Sequence, residues 1–240
     1  MNINQTFIDL QLTARNVDFF LTRTAIFQAV QHIVPQLGGT LLDLGSGYQP
    51  YRTLLTTPPS KVTTYIAVDL KDNIYQRPDV EWDGDRLPFA TATVDCVIAT
   101  EVLEHCPHPD HILHELWRVL RPGGLFFFTV PFLWPLHTAP YDQYRYTSFA
   151  LYRHLSEAGF TQIDITAMGG WDRSMAQMLG LWAKRRWRYA DTRSLPQRLF
   201  KRLAPYAVLP IIAFLDQQDQ IPDAYADQIM PIGFAGSASK

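Results

Sequence analysis

The feature that most narrows the folds open to this chain is an apolar run that stops in glycine: Leu41-Leu42-Asp43-Leu44-Gly45-Ser46-Gly47. A short run of this kind, bounded by a turn signal, predicts a strand buried on both faces. Glycines 45 and 47 let the backbone turn sharply and approach a ligand with no Cβ in the way. A second apolar segment, 64–69, closes on Asp69. A carboxylate at a strand end can accept both hydroxyl hydrogens of a ribose. Together the two features suit a dinucleotide or S-adenosylmethionine, and the residues beyond them decide between the two.

Beyond residue 40 the pattern alternates. Strands are predicted at 40–44, 64–69, 79–82, 94–99, 124–130 and 161–167, with helices near 50–56, 109–120 and 147–158. The helix at 109–120 has one apolar face, formed by Ile112, Leu113, Leu116, Trp117, Val119 and Leu120, and Pro122-Gly123-Gly124 is expected to end it. Thr147 or Ser148 is placed to cap the start of the helix at 147–158, and Gly159 to end it. Runs such as Leu125-Phe126-Phe127-Phe128-Thr129-Val130 fit a sheet covered on both sides. The expected fold is a doubly wound, Rossmann-like α/β architecture with a mainly parallel sheet and helices on both faces.

In such sheets ligands sit beyond the carboxyl ends of the strands. Asp43 to Gly47, Asp69, Asp83 and Thr100 to His105 should therefore line one crevice. A helical lead-in over 12–36 precedes this core. From about 170 to 220 the alternation gives way to a mainly helical insertion, with Pro196, Pro205, Pro210 and Pro222 as punctuation, and 228–238 is expected to return as a last, antiparallel strand. The division expected is one domain over 1–240: lead-in 1–39, core 40–168, insertion or lid 169–222, last strand and tail 223–240.

With 240 residues, 47% of them hydrophobic and 18% charged, the chain can bury one sizeable core. Its two cysteines, Cys96 and Cys106, argue against a disulfide framework and for a reducing compartment. Residues 1–10 show no apolar secretory segment, so the expected residence is cytoplasmic. The net charge of -2 is unevenly spread. Eight basic residues between Lys184 and Arg202 face only Asp191, a local balance of +7 that leaves -9 for the rest.

Five pieces occur in the order seen in one family: Leu42-Asp43-Leu44-Gly45-Ser46-Gly47, Ala67-Val68-Asp69, Asp83-Gly84-Asp85-Arg86-Leu87-Pro88-Phe89, Asp95 through Glu101-Val102-Leu103-Glu104-His105, and Glu115 through Pro122-Gly123-Gly124. On them the chain resembles the class I S-adenosylmethionine-dependent methyltransferases, in their small-molecule, type 11-like branch, over residues 40 to 168. The resemblance implies the cofactor S-adenosylmethionine and roles for individual residues. Gly45, Ser46 and Gly47 would pass beneath the methionine carboxylate and ribose, with the helix start near residue 50 favouring the carboxylate. Asp43 would meet the amino group, and Asp69, with Leu70 beside it, the ribose diol. Asp83 would take the adenine amino group, with Gly84 beside the ring, while Thr100 and Glu101 would face the methionine part. One departure stands out: Gln49, followed by Pro50, occupies the place of the family's third glycine, where a long side chain can still point outward. The same Pro50 argues against a nicotinamide enzyme, whose loop needs a glycine there.

The family places acceptor contacts after its fourth and fifth strands. Here the fifth strand runs into an aromatic loop, Pro131 to Thr147, that resembles a subset of these enzymes whose acceptors are expected to be sugars, lipid-linked molecules or related metabolites. Methyl transfer to oxygen or nitrogen often requires removal of a proton. His137 is the candidate base, because an imidazole exchanges protons near neutral pH. Asp142 would orient it or act in its place, Arg145 would bind an anionic group, and Trp134 and Tyr141 complete the expected acceptor site. An ion pair between Asp142 and Arg145 that merely fastens the loop is the competing reading. His105 reads as a residue that holds the loop. His108, His111 and His114 have no partner set at ligand spacing, so no metal is expected.

Two other functions compete: an RNA or protein methyltransferase docking through 184–202, and a binding protein that keeps the cofactor without turnover. No nucleic-acid motif accompanies the basic run, so nucleic acid is not the expected partner. The insertion is expected to form a lid over the acceptor pocket, with peripheral contact to a membrane surface through 184–215 as the second reading.

Overall fold

A computed structural model describes residues 6–186 and 194–240. Seven strands form one sheet: β1 (Gly38–Leu44), β2 (Lys61–Leu70), β3 (Val80–Trp82), β4 (Val94–Thr100), β5 (Leu120–Pro131), β6 (Thr161–Met168) and β7 (Gly233–Ser239). Their order is β3-β2-β1-β4-β5-β7-β6. All neighbours are parallel except β7, which lies antiparallel between β5 and β6. The expected doubly wound fold is present, with its last strand antiparallel. Strand order reverses between β1 and β4, so the crevice beyond their carboxyl ends is where such a sheet receives a ligand.

The alternation of side chains along each strand divides the core. Leu42, Leu44, Val97, Ala99, Phe126 and Phe128 face helices α3 (Pro109–Val119) and α4 (Ser148–Glu157). Leu41, Cys96, Ile98 and Phe127 face α1 (Phe20–Ile33) and the insertion helices α5 (Trp171–Arg185) and α6 (Leu195–Gln218). Between β1 and β2 lies a short helix, α2 (Arg52–Thr56). Both cysteines are free, buried thiols.

Four expectations need correcting. Over 12–36 the chain is α-helical from Phe20 and not from residue 12, because Asn16 bonds with its amide to the Gln11 carbonyl (2.8 Å) and with its oxygen to the Thr13 amide (2.8 Å), a local pattern that competes with helix. Pro122-Gly123-Gly124 does not end the helix before β5. Leu120 already has extended backbone (ψ 143°), and those residues belong to the strand. The helix expected near residue 50 is little more than one turn, so the field at its amino end is small. Pro205 and Pro210 lie inside α6 rather than ending it. Each removes one ladder hydrogen bond, and burial of Ala204, Pro205, Val208 and Ile212 at helical spacing holds the helix together. Asp219, just past α6, accepts from the Gly170 and Arg173 amides (2.9 and 3.0 Å) and so caps α5, while Gln177 and Arg185 of α5 bind Asp18 before α1.

Candidate active site

The turn after β1 is built on glycine for two reasons. Gly45 has φ +65°, and a Cβ there would stand 2.5 Å from Val102 Cγ2. Gln49, in place of the third glycine, itself adopts φ 52°. Its side chain does not point outward as expected; it is buried and accepts a hydrogen bond from Arg52 Nη1 (2.8 Å). Asp69, at the end of β2, binds the turn directly. Its Oδ2 accepts the Gly47 amide and its Oδ1 the Leu70 amide, both at 2.7 Å.

Beyond the strand ends lies a cavity of about 430 Å³. Gly45, Asp69, Leu70, Asp83, Gly84 and Glu101 of the expected cofactor residues form part of its wall. Asp83 keeps one carboxylate oxygen on the Asp85 and Arg86 amides (2.9 and 3.1 Å), which fixes the loop and leaves its other oxygen for a ligand. Asp43, Ser46, Gly47 and Thr100 are not part of that wall. Gly47 reaches it through Asp69, and Thr100 pairs with Thr129 across the β4–β5 ladder. The hydroxyl of buried Ser46 and the indole N–H of buried Trp82, itself on the wall, have no hydrogen-bond partner among the described residues. Buried polar atoms left unpaired beside a cavity suit a polar ligand. A second cavity of about 310 Å³ lies between α1 and strands β6 and β7, away from the glycine turn.

Asp43 is buried and accepts a short hydrogen bond from the Tyr65 hydroxyl. Burial pushes its pKa up to about 7 against that bond. Glu101 sits in left-handed backbone (φ 57°) and accepts from Thr129 Oγ1 (3.0 Å). Burial raises it likewise to about 7, opposed by the nearby Arg23 of α1. Arg23 carries no motif, and nothing in the sequence singles it out.

The aromatic loop brings His137, Asp142 and Arg145 together. Asp142 Oδ2 accepts from both the backbone N and Nδ1 of His137 (3.0 and 3.1 Å). Arg145 grips the same carboxylate through Nη1 and Nη2 (2.7 and 2.8 Å) and spends its other protons on the Tyr144, Trp134 and Pro135 carbonyls. These hydrogen bonds hold the buried Asp142 carboxyl far below the usual range. Asp142 is thus fixed between His137 and Arg145, and Arg145 is tied to the loop's own carbonyls. Tyr141 lies on the cavity wall, and Trp134 packs under the Arg185 guanidinium of α5 (4.9 Å to the ring centroid).

Two further residues lie beside this loop: His105, read in the sequence as holding it, and Glu104, given no role there. His105 is on the cavity wall, and its ring meets that of His137 edge-on at 4.8 Å. Burial lowers its pKa. Glu104 is fully buried, and neither carboxylate oxygen has a hydrogen-bond partner among the described residues. Both belong to the Glu101-to-His105 motif, but only the fold shows that His137, thirty-two positions after His105, closes over them.

Residues 42–128 match the model of a methyltransferase domain. The bifunctional biotin biosynthesis protein BioHC of Cellvibrio japonicus is 33% identical over 114 residues, which cover 43% of this chain and 22% of that protein. A mitochondrial 2-methoxy-6-polyprenyl-1,4-benzoquinol methylase of Dictyostelium discoideum is 36% identical over 76 residues, 29% of this chain and 24% of that one. The chain spans between about a fifth and two fifths of the length of the first curated relatives it matches. Among solved structures, an S-adenosylmethionine-dependent methyltransferase from Mesorhizobium loti superposes with a TM-score of 0.54 at 15% identity, over 92% of this chain and 100% of the other. Phosphoethanolamine N-methyltransferase 2 of Haemonchus contortus, solved with S-adenosylmethionine, does so at 0.53 and 15%, over 100% of this chain and 60% of that one. Residues 42–128 thus match a methyltransferase domain, and the sheet around them has the fold of solved S-adenosylmethionine-dependent methyltransferases. S-adenosylmethionine is the cofactor of those enzymes.

Proposed function

We propose that the chain transfers the methyl group of S-adenosylmethionine to a small-molecule acceptor seated between the His137 loop and the glycine turn. The observation that carries this reading is one cavity whose wall joins Gly45, Asp69 and Glu101 to His105 and Tyr141. When bound, the cofactor supplies an electrophilic methyl on a sulfonium sulfur. Asp69 holds the ribose, Asp83 and Gly84 the adenine, and the Gly45-Ser46-Gly47 turn the methionine end. Asp43 and Glu101 take the ammonium, and Arg23 supplies a cation on the same side. The acceptor stands against His105 and Tyr141. His137, held by Asp142, takes the acceptor's proton while the acceptor's electron pair forms the new bond to carbon and sulfur keeps the old one.

The related quinol, biotin-pathway and phosphoethanolamine proteins support a small acceptor. Use of the basic run within the fold supports it too. Lys184 and Arg185 pair with Asp18, and Arg186 stacks on Trp182. Arg188 and Arg193 lie outside the described residues. Arg185 over Trp134 ties α5 to the acceptor loop, which supports the insertion as a lid. Leu199, Leu203, Tyr206, Ile211 and Phe214 are exposed on α6 beside Arg198, Lys201 and Arg202, and this supports a lipid-linked acceptor met at a membrane surface. Among the described residues no helix is long and apolar enough to cross a membrane. Incubation with cofactor labelled in its methyl group and panels of quinols, carboxylic acids, sugars and amino alcohols tests the reading. Label must pass to one of these classes; label passing only to RNA or protein overturns it.

A further inference from the structure

Glu104, His105 and His137 offer one oxygen and two nitrogens that all lie within 4.8 Å of one another, with His105 Nε2 3.6 Å from Glu104 Oε1. The hydrogen bonds around them fix which ring nitrogens are free. His105 Nδ1 faces the Tyr141 carbonyl (3.2 Å), which can only accept, so the proton is on Nδ1 and the lone pair on Nε2. His137 Nδ1 faces the Asp142 carboxylate with the same result. Both free nitrogens therefore belong to rings already steered from behind by an oxygen acceptor, the arrangement that orients imidazole ligands around metals.

Glu104 supplies an independent observation. Its carboxylate is fully buried, neither oxygen has a hydrogen-bond partner among the described residues, and Arg145, whose charge acts on it, is committed to Asp142 and three carbonyls. A buried carboxylate without donors is costly unless it keeps a proton, as burial favours here, or a cation meets it.

From these contacts we infer that Glu104, His105 and His137 form a binding site for a first-row divalent cation at the acceptor side of the cavity. Two imidazoles and one carboxylate are a donor set that suits zinc, iron or cobalt and leaves coordination positions open. Ligands at about 2.0–2.2 Å from a tetrahedral or octahedral cation stand roughly 3–3.5 Å apart, so the side chains close by about an ångström on binding. Of the three, His105 is on the cavity wall, so the site adjoins the acceptor side there. This deepens the proposed function and rests on it for the acceptor's position. It also changes the work of His137, which gives its lone pair to the cation in place of a proton. An acceptor hydroxyl or phenol that binds the cation ionises more readily. Its proton passes to solvent water, and the oxygen takes the methyl while sulfur keeps the electron pair.

Chelator-treated protein is titrated with Co²⁺, read by visible absorption, and with Zn²⁺, read by calorimetry; S-adenosylhomocysteine binding is measured on the same samples. A single equivalent of Co²⁺ should bind with an intense tetrahedral or five-coordinate spectrum. Glu104→Gln, which keeps the side chain's shape, and His105→Ala should lose that spectrum while retaining the nucleoside. Asp142→Asn should weaken Zn²⁺ by about 10–100-fold. His154→Ala, in the exposed Asp110, His154, Glu157 group that could also collect cations, should change nothing in it. No Co²⁺ spectrum in a wild type that binds the nucleoside, or a spectrum untouched by Glu104→Gln and His105→Ala, overturns the cation site alone. Failure of the wild type to bind the nucleoside overturns the cofactor reading instead.

Discussion

Replacing Asp69 by alanine is the most direct perturbation of the cofactor half of the cavity. Each of its oxygens already accepts one backbone amide at 2.7 Å, Gly47 on one side and Leu70 on the other. Each keeps lone-pair capacity for one ribose hydroxyl. A hydrogen bond to a charged group contributes about 1.5–3 kcal/mol, so the pair is worth about 3–6 kcal/mol against nothing in its place. In the variant water enters and recovers roughly half. The expected loss is about 1.5–3 kcal/mol, a factor of about ten to a few hundred in the dissociation constant of S-adenosylhomocysteine. Asp69→Asn should lose nearly as much, because its amide nitrogen must face either the Gly47 or the Leu70 donor.

The same change leaves those two amides without acceptors, at about 1–3 kcal/mol if they stay dry, and thermal unfolding should move down by a few degrees. Calorimetry gives the affinity, and circular dichroism confirms that each variant is folded. A folded Asp69→Ala protein that binds within threefold of wild type would refute the ribose assignment.

The remaining predictions concern the acceptor side, proton linkage and packing. Whether His137 takes the acceptor's proton or holds the cation that ionises the acceptor, His137→Ala should lower turnover by about 10²–10⁴-fold, the general-base range, with nucleoside affinity almost unchanged, as steady-state kinetics beside calorimetry will show; a fall in affinity of the same size would move His137 out of the acceptor site. Asp43 has a pKa near 7 in the free protein, well above its ordinary value, so below pH 7 it is mostly neutral and must lose a proton to meet the cofactor's ammonium. Affinity should therefore fall as pH drops from 7 to 5, by up to about tenfold per unit for each such group; Asp43→Asn should reduce that slope, and the part that remains belongs to Glu101, which burial raises into the same range. In α5, a Cβ on Gly180 would stand 1.9 Å from the Val17 carbonyl, so Gly180→Ala should destabilise the fold by about 1–3 kcal/mol in a denaturant titration.

How legible each feature is in the sequence depends on how local it is. The strands and the glycine turn are legible because burial on both faces writes a continuous apolar run, and positive φ writes glycine. Asp69 is legible because its place at a strand end is a matter of spacing. The course of α6 through Pro205 and Pro210 is not, since the contacts that outweigh two lost hydrogen bonds come from another helix. The outward path expected for Gln49 fails for a related reason: Arg52, three residues on, gives its amide oxygen a partner inside. Glu104 is visible as a letter in a motif. That its carboxylate is buried without donors is a property of the fold around it, to which the chain returns only at His137 and Asp142.

The segment from Thr100 to His105 joins the two halves of the cavity. Val102 packs against Gly45 so closely that no side chain fits there, and Glu101 turns at positive φ to bond Thr129. One turn later, the Glu104 carbonyl accepts the amides of Gln143 and Tyr144 (2.8 and 3.2 Å), and the Leu103 carbonyl accepts the Tyr146 hydroxyl (3.0 Å). The acceptor loop thus hangs from the same few residues that press on the cofactor turn. Displacing the Gly45 turn would push Val102, and through it the carbonyls that hold Gln143 and Tyr144 and the ring that faces His137. A methyl donor and its acceptor must meet in line to within a fraction of an ångström for the transfer to be fast. A single 3₁₀ turn shared by both half-sites is a short mechanical path for setting that alignment.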